Sequence, residues 1–355
     1  MLGIVAIISV TFTIFTISVY FYYKSLRKNE CENMKEIYGE VNGKLSSFDA
    51  SNQNFQYALR DYYIKSAYNA CSGGNYRFDY VDLCHLKYAL KSGCRGLDFE
   101  IYSIDNQPVV ATSTSDSYYV KETFNSIPFD EVMKTIVNNA FSSSSAPNYN
   151  DPIFIHLRIK STNKTMYDNI SKIFESYSNY LLGPKYSFEY QGQNLGSTPL
   201  NEIGPQKIVI IVDRSNPSFM ESVDFYEYVN ITSNSTFMRA LHYYDIKYTA
   251  DITELIEYNK LCMTFAMPDK GSDPVNPSGP VVRETGCQFI AMRNQYLDTN
   301  LEEVNLFFDE IGVAFVLKPE PLRYIPVIVD DPIPQDPALS YATRDVSSDF
   351  YKFEI

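Results

Sequence analysis

Hydrophobic and polar positions divide the chain into an apolar N-terminal stretch, a polar connection and a long region of alternating strand-like and helix-like segments. Leu2 to Tyr23 carries no charged side chain. A helix of this length rises about 33 Å, enough to cross the hydrocarbon core of a bilayer. The stretch ends in four aromatic residues suited to the membrane interface, and a basic cluster follows at Lys24, Arg27 and Lys28. The pattern predicts a transmembrane anchor over residues 1–28 and a polar stalk over residues 29–57.

The orientation of this anchor rests on charge. A cleavable signal peptide is the alternative, but no basic segment precedes the apolar run and no small-x-small site follows it. Because the basic cluster lies after the helix, the positive-inside tendency predicts that the body is on the cytoplasmic side. Four N-x-S/T sequons favour the other side, and they begin at Asn163, Asn169, Asn230 and Asn234.

Short apolar runs alternate with helical periodicity from residue 58 to residue 325. This alternation indicates a parallel α/β sheet, and the number of units fits a closed (β/α)8 barrel of the TIM type. Residues 326–355 contain several prolines and an excess of acids, which predicts an extended tail. The predicted helices are Tyr80–Ser92 and Phe129–Phe141. The predicted strands are Gly96–Tyr102, Gln107–Ala111, Pro152–Ile159, Lys207–Val212 and Val313–Leu317.

Composition excludes some functions. The net charge of -13 argues against nucleic-acid binding and against broad adhesion to anionic lipid, so membrane contact is assigned to Leu2–Tyr23. The chain has no Trp but 30 Tyr and 23 Phe, a composition that would suit a large DNA virus, including the membrane of its particle, or a protist. Six scattered cysteines without metal-site spacing predict buried free thiols, and they are Cys31, Cys71, Cys84, Cys94, Cys262 and Cys287.

Two ordered blocks resemble the catalytic domain of eukaryotic phosphoinositide-specific phospholipase C. The first holds "DYYIKSAYNACSGG" from Asp61 and then "ALKSGCRGLDFEIYSIDNQPVV". The second, Glu284 to Arg323, holds "ETGCQFIAMRNQYLD" and "DEIGVAFVLKPEPLR" and resembles the end of the family's second half. The resemblance implies a barrel that cleaves phosphoinositides with two histidines and a calcium ion held by Asn and carboxylate side chains.

The family's catalytic positions are altered in this chain. Tyr68 stands where the family has its first histidine, and Thr112 stands where it has its second. Neither a phenol nor a hydroxyl replaces imidazole in acid–base transfer near neutral pH. Asn69 and the carboxylates Asp98 and Glu100 remain.

The family's metal and phosphate positions are altered as well. Arg158 takes the place of a calcium-binding Glu, where it would repel the ion and pair with Asp98 and Glu100. Ile211 and Asp213 lie near the places of the family's phosphate-binding lysines. We therefore expect no catalytic residue, no metal and no calcium cofactor.

A weaker hypothesis concerns ligand binding by three residues of one predicted strand. His156, Arg158 and Lys160 alternate along one predicted strand and share a face, so they either bind a phosphorylated headgroup or balance the buried acids. His85 is interpreted as structural. The sequence thus predicts an inactive, membrane-anchored phospholipase C-like protein with a structural or scaffolding role, protein partners and a capacity for headgroup binding. The rival is an active phosphodiesterase that uses His156 with Asp98 and Glu100.

Overall fold

The computed structural model describes residues 2–39, 44–49, 51–117, 119–326 and 343–355. Helix α1 runs from Leu2 to Tyr38. Its apolar side chains from Ile4 to Phe21 are exposed except for Val19, which is half-buried, and it is the one helix of the described residues long and apolar enough to span a membrane. The helix does not stop at the predicted end of the anchor. It continues because its last turns pack on the barrel, where Met34 is buried and the Tyr38 hydroxyl donates to the Asn294 carbonyl at 2.8 Å.

Eight parallel strands form a nearly closed barrel, as the alternation of strands and helices predicts. Hydrogen bonds link them in the order β7-β6-β5-β2-β1-β10-β9-β8. The strands are β1 (Tyr62–Ala67), β2 (Gly96–Ile104), β5 (Ile153–Ile159), β6 (Ile208–Asp213), β7 (Ile231–Ser233), β8 (Met238–His242), β9 (Met263–Met267) and β10 (Phe289–Met292).

Helices connect these strands and cover the outside of the barrel. The residues of α5 from 188 to 191 have φ near +54°, so this element is a left-handed turn. The helices after α1 are α2 (Leu83–Lys91), α3 (Phe129–Ala140), α4 (Lys164–Ser176), α5 (Ser187–Gln191), α6 (Leu200–Ile203), α7 (Val223–Tyr226), α8 (Tyr243–Lys247), α9 (Ile252–Leu261), α10 (Gly279–Glu284) and α11 (Thr299–Ile311).

Three strands pair antiparallel to the barrel or to each other. Strand β3 (Gln107–Ala111) folds back along β2, and β4 (Ile127–Pro128) pairs with β3. The predicted strand Val313–Leu317 is observed as β11 (Phe315–Leu317), and it runs antiparallel to β1. Strand β11 is therefore not one of the eight parallel barrel strands. An apolar run fixes the existence of a strand but not its direction.

Residues that alternate along each strand separate the barrel interior from the layer under the helices. On β5, Ile155 and Leu157 pack in the outer layer, whereas Phe154 packs inside the barrel against Phe289. Apolar side chains fill the lower half of the interior, which is the half nearer the amino ends of the strands. The polar side chains of the same strands follow them toward the carboxyl end, where a parallel barrel carries its site.

Two of the six cysteines are not free thiols. Cys31 on α1 and Cys84 on α2 form a disulfide with their Cα atoms 6.0 Å apart, so the expectation of free thiols is wrong for this pair. The pairing arises because the last turns of α1 pack against α2, which sequence spacing does not reveal. Cys71, Cys94 and Cys287 are buried free thiols, as expected, and Cys262 is free and half-buried.

The predicted tail separates from the barrel. Residues 325–355 form a second unit, in which β12 (Asp345–Ser347) and β13 (Lys352–Glu354) make a short antiparallel hairpin. Residues 327–342 lie outside the described residues, as do residues 40–43 and 50 of the predicted stalk.

Candidate functional site

Two neighbouring strands carry the polar centre of the barrel. Asp98 and Glu100 of β2 lie in register with His156 and Arg158 of β5. Because residues two apart share a face, all four side chains point into the interior above the apolar lower half. All four are buried, with at most 1% of the residue surface exposed. A buried charge is stable only when it is paired and hydrogen-bonded, so the contacts within this group decide what it can do.

Arg158 donates hydrogen bonds to several side chains of the group. Its Nη2 lies 2.7 Å from Asp98 Oδ2, its Nε lies 3.0 Å from Asp98 Oδ1, and its Nη1 lies 2.9 Å from Glu100 Oε1. Nη2 also donates to Asn69 Oδ1 at 3.0 Å. The guanidinium carbon lies 4.7 Å from the centre of the Tyr68 ring. The structure thus brings together five of the family positions that the sequence marks as altered or retained.

Ionisation in this group is controlled by Arg158. Burial alone would raise the pKa of the Asp98 carboxyl, but the guanidinium of Arg158 and the hydrogen bond with His156 hold that pKa well below its usual range. Burial opposes the charge of Arg158, and Asp98, Tyr68 and Glu100 raise its pKa well above the ordinary value. Burial raises the pKa of the Tyr68 hydroxyl, which keeps the phenol neutral. The centre is therefore a fixed ion pair.

The second carboxylate oxygen of Glu100 accepts hydrogen bonds from its own strand and from the segment that follows β3. Glu100 Oε2 accepts from the Tyr102 hydroxyl at 2.5 Å, from the Ser113 amide at 3.0 Å and from the Ser113 hydroxyl at 3.1 Å. Thr112, at the family's second histidine position, donates its hydroxyl to the Tyr76 carbonyl at 3.1 Å. Thr112 therefore lies beside the carboxylates and directs its hydrogen bond away from them.

His156 is enclosed by partners on both ring nitrogens. Nδ1 lies 2.8 Å from Asp98 Oδ1, and Nε2 lies 2.8 Å from Ser233 Oγ. The ring also stacks on Phe265 with 4.6 Å between centroids. General acid–base catalysis needs a nitrogen within reach of the reacting group. In this geometry both ring nitrogens of His156 contact other side chains of the protein.

A second group of charges, at the mouth of the barrel, surrounds Asp116. This residue lies on the loop between β3 and β4, and its carboxylate is within 4.0 Å of Arg158, Lys160, His242 and Lys270. A cavity of about 360 Å³ adjoins the group. Lys160 is buried and donates to the Asp116 carbonyl at 2.5 Å, so its ammonium group belongs to this group of charges and does not extend into solvent. Sequence analysis missed Asp116, His242 and Lys270.

Ile211 and Asp213, near which the sequence analysis expects the family's phosphate-binding lysines, are not cations. Ile211 is buried in the apolar interior of the barrel. The Asp213 carboxylate accepts from the Ser215 amide at 3.0 Å and from Asn234 Nδ2 at 2.8 Å. The cations at the mouth therefore come from other positions of the barrel.

The oxygen ligands that would hold a calcium ion all contact the guanidinium. Asp98, Glu100 and Asn69 each give at least one oxygen to Arg158. Calcium needs six to eight oxygen ligands and no adjacent cation, so these residues do not fit the ion. Elsewhere among the described residues, Cys31, Cys84 and His85 lie close enough to share a metal, but the two cysteines are joined in the disulfide. His85 is buried on α2, and burial lowers its pKa to about 4.

Comparisons with known proteins agree with this geometry. Residues 55–212 match the sequence model of the X domain of phosphatidylinositol-specific phospholipase C. These residues, somewhat less than half of the chain, are similar to a phospholipase C X domain. The resemblance of the first block is thereby confirmed, and the match runs from the residues before β1 to the end of β6. No curated protein sequence matches the chain.

Solved phospholipase C structures extend the likeness to the rest of the barrel. PLC21 from S. officinalis and PLC21 from L. pealei are 16% and 17% identical to this chain, each with a TM-score of 0.62. Each alignment covers 78% of this chain and 39% of the other chain. The chain therefore spans about two fifths of those phospholipases, and the likeness shows that it has the phospholipase C catalytic-domain fold.

Proposed function

We propose that the chain is a membrane-anchored, catalytically inactive phospholipase C-like protein that acts as a structural or binding component at a membrane. The observation that carries this proposal is the position of Arg158, whose guanidinium lies among the oxygens of Asp98, Glu100 and Asn69. A fixed positive charge there stands in for the charge of a divalent ion. It offers no open coordination position that could polarise a phosphate or activate a hydroxyl.

The altered histidine positions support the same proposal. The Tyr68 ring contacts the Tyr76 ring edge to face with 5.5 Å between centroids, and Tyr68 is 4% exposed. Burial raises the pKa of the Tyr68 hydroxyl, so the phenol stays neutral near neutral pH. It therefore supplies neither the positive charge nor the proton acceptor that an imidazole could supply. Thr112 supplies no acid–base group.

An active phosphodiesterase with a rearranged site is the rival function. It would use His156 with Asp98 and Glu100. The structure opposes this assignment because His156 is 0% exposed and each of its ring nitrogens faces a protein partner. A group that never reaches the cavity cannot take a proton from a substrate hydroxyl there.

Location beside a membrane is supported by the N-terminal helix and by its aromatic surroundings. Where α1 leaves the apolar stretch, the Tyr23 ring lies 5.2 Å from the Phe124 ring, which in turn contacts Phe78. Phe78 and Phe124 are both exposed. Aromatic side chains at this level suit the interface between lipid and water. In this proposal the barrel is held close to the bilayer surface.

The test is turnover of phosphoinositide by the full chain in detergent or in vesicles, with calcium and with chelator. We expect no inositol phosphate release under either condition. The matched control replaces Asp98 with Asn in the same preparation, with circular dichroism used to establish that the variant is folded, because this substitution would abolish any activity of the rival site. Calcium-dependent release by the natural chain that is lost in Asp98→Asn would overturn the proposal.

A further inference from the structure

The carboxylate of Asp116 is held by cations in the way that an anionic ligand would be. Its Oδ1 lies 3.2 Å from Arg158 Nη1 and 4.0 Å from Lys160 Nζ, and its Oδ2 lies 2.7 Å from His242 Nε2 and 3.2 Å from Lys270 Nζ. Of these contacts, the one with His242 has the length of a strong charge-assisted hydrogen bond, and the others add charge around the carboxylate. Two oxygens on one side chain thus share four positively charged or protonatable groups.

The four groups converge on Asp116 from separate parts of the barrel. Arg158 lies on β5 and Lys160 directly follows it, His242 ends β8, and Lys270 follows β9. The other ring nitrogen of His242, Nδ1, lies 2.6 Å from the Pro268 carbonyl, which can only accept. Both ring nitrogens of His242 therefore lie within hydrogen-bond distance of an oxygen atom. Convergence at the carboxyl ends of the strands is the usual place for a ligand in a barrel.

Asp116 reaches this place from a loop that is anchored on either side of it. Ser113 is bonded to Glu100, and the Thr114 amide and hydroxyl both donate to Glu122. The Asp116 side chain itself is 33% exposed, and the cavity of about 360 Å³ opens beside it. This volume lies within the range of small-ligand sites. Withdrawal of the carboxylate would leave Arg158, Lys160 and Lys270, which line the cavity, and the adjacent His242 without their shared anion.

We propose that Arg158, Lys160, His242 and Lys270 form a binding site for a phosphate monoester, and that Asp116 is a tethered anion that occupies this site until the ligand displaces it. The inference rests on the proposed function, because it describes binding without turnover. A phosphate dianion offers more oxygens and more charge to the same four groups than a carboxylate does. Competition between the two makes the free chain a weak binder.

The test compares the natural chain with Asp116→Asn in detergent micelles, by calorimetric titration with inorganic phosphate, inositol trisphosphate and micellar phosphatidylinositol bisphosphate. Removal of the tethered anion is expected to tighten phosphate binding about tenfold, because the ligand no longer competes with a charged neighbour. The double variant Asp116→Asn/Lys270→Ala is expected to lose that gain. Tighter binding of the lipid than of inositol trisphosphate identifies a headgroup at a membrane. Equal binding of inorganic phosphate and inositol trisphosphate identifies free phosphate.

Asp213→Asn is the matched control, since Asp213 also lines the cavity and the substitution removes the same charge. We expect its affinity for phosphate to stay close to that of the natural chain. Equal affinity in all variants, or an equal gain in Asp213→Asn, would overturn the inference. Phosphoinositide turnover, measured in parallel, would overturn the proposed function. The comparison of phosphate affinity between the natural chain and Asp116→Asn would still test the binding site.

A measurement on the natural chain covers the case in which Asp116→Asn does not fold. Saturating phosphate is expected to speed hydrogen exchange of the amides at residues 115–117, because the ligand displaces the loop from the cations. Exchange that is unchanged or slowed at these amides while phosphate binds would show that Asp116 stays in place, and that the site is elsewhere.

Discussion

Asp98 and Arg158 form a bidentate ion pair across neighbouring strands, with Nη2 and Oδ2 2.7 Å apart and Nε and Oδ1 3.0 Å apart. Both side chains are buried, so each charge depends on the other for its stability. The pair joins β2 to β5 at the level where the catalytic centre of a phospholipase C-like barrel would lie. Its strength and its chemical consequences are open to direct measurement.

Asp98→Asn is expected to destabilise the fold. The substitution leaves Arg158 buried with part of its compensating charge removed, and breaking one side of a buried pair costs about 3–5 kcal/mol. The free energy of unfolding, measured in denaturant, should fall by this amount. Asp224→Asn, at an exposed position on α7, is the control and should stay within about 0.5 kcal/mol of the natural chain. A loss as small as that of the control would show that the pair is not buried as described.

Stability should also fall in acid. The pKa values of Asp98 and Asp116 are held below the ordinary range by Arg158, His156 and His242, in spite of burial. A carboxyl with a lowered pKa stabilises the folded state above its unfolded pKa of about 4, and this contribution is lost as pH falls toward the folded pKa. The midpoint of thermal unfolding should therefore drop as pH decreases from about 5. Asp98→Asn should show a shallower drop, and an equally steep one would contradict the assignment.

The disulfide between α1 and α2 predicts a specific pattern of thiol reactivity. Cys31 and Cys84 should be alkylated only after reduction, whereas Cys262 should be alkylated in the denatured chain without reduction. Mass spectrometry of chain trapped with alkylating reagent at lysis gives the result. Direct alkylation of Cys31 and Cys84 would contradict the pairing.

The same measurement bears on the side of the membrane. Disulfides persist in oxidising compartments, whereas Lys24, Arg27 and Lys28 after the apolar stretch predict a cytoplasmic body. One of these cations is engaged in the fold, because Arg27 forms an ion pair with Asp82 of the barrel. An oxidised Cys31–Cys84 pair in cells would favour a body on the oxidising side, opposite to the prediction from charge.

Membrane attachment should depend on the apolar half of α1. Phe12 is exposed near the middle of the apolar stretch, and a charged residue at the centre of a spanning helix costs about 2.5–3.5 kcal/mol. Phe12→Lys combined with Ile8→Lys should release the chain from membranes on alkaline extraction. Phe12→Leu with Ile8→Leu is the matched control and should remain in the pellet. Retention of the lysine variant would mean that another part of the chain holds the membrane.

Much of the barrel centre is predictable from sequence because strand periodicity is local. Asp98 and Glu100 alternate along one apolar strand and His156 and Arg158 along another, so each pair's common face follows from the period of two. The pairing of Arg158 with Asp98 and Glu100 follows from the family positions that the resemblance gives them. The resemblance to phospholipase C supplies the meaning of those positions. The direction of β11 did not follow, because its apolar run is equally compatible with parallel and antiparallel pairing.

Contacts made by loops and distant segments were beyond the sequence. Asp116 and Lys270 lie on loops with no periodic pattern, and His242 joins them only when the barrel closes. Cys31 and Cys84 are 53 residues apart and meet through the packing of α1 on α2. The signal that remained in the sequence was the three histidines, since each histidine in so small a set deserves a search for an acidic partner.

The most direct test of the central claim is a calorimetric titration of the full chain with calcium in detergent. The account predicts no saturable heat in the natural chain, because Arg158 already neutralises Asp98 and Glu100 and lies between the oxygens that the ion would need. Stoichiometric calcium binding that disappears in Asp98→Asn would contradict the account. It would mean that Arg158 leaves the centre of the barrel and that the metal site of the family survives.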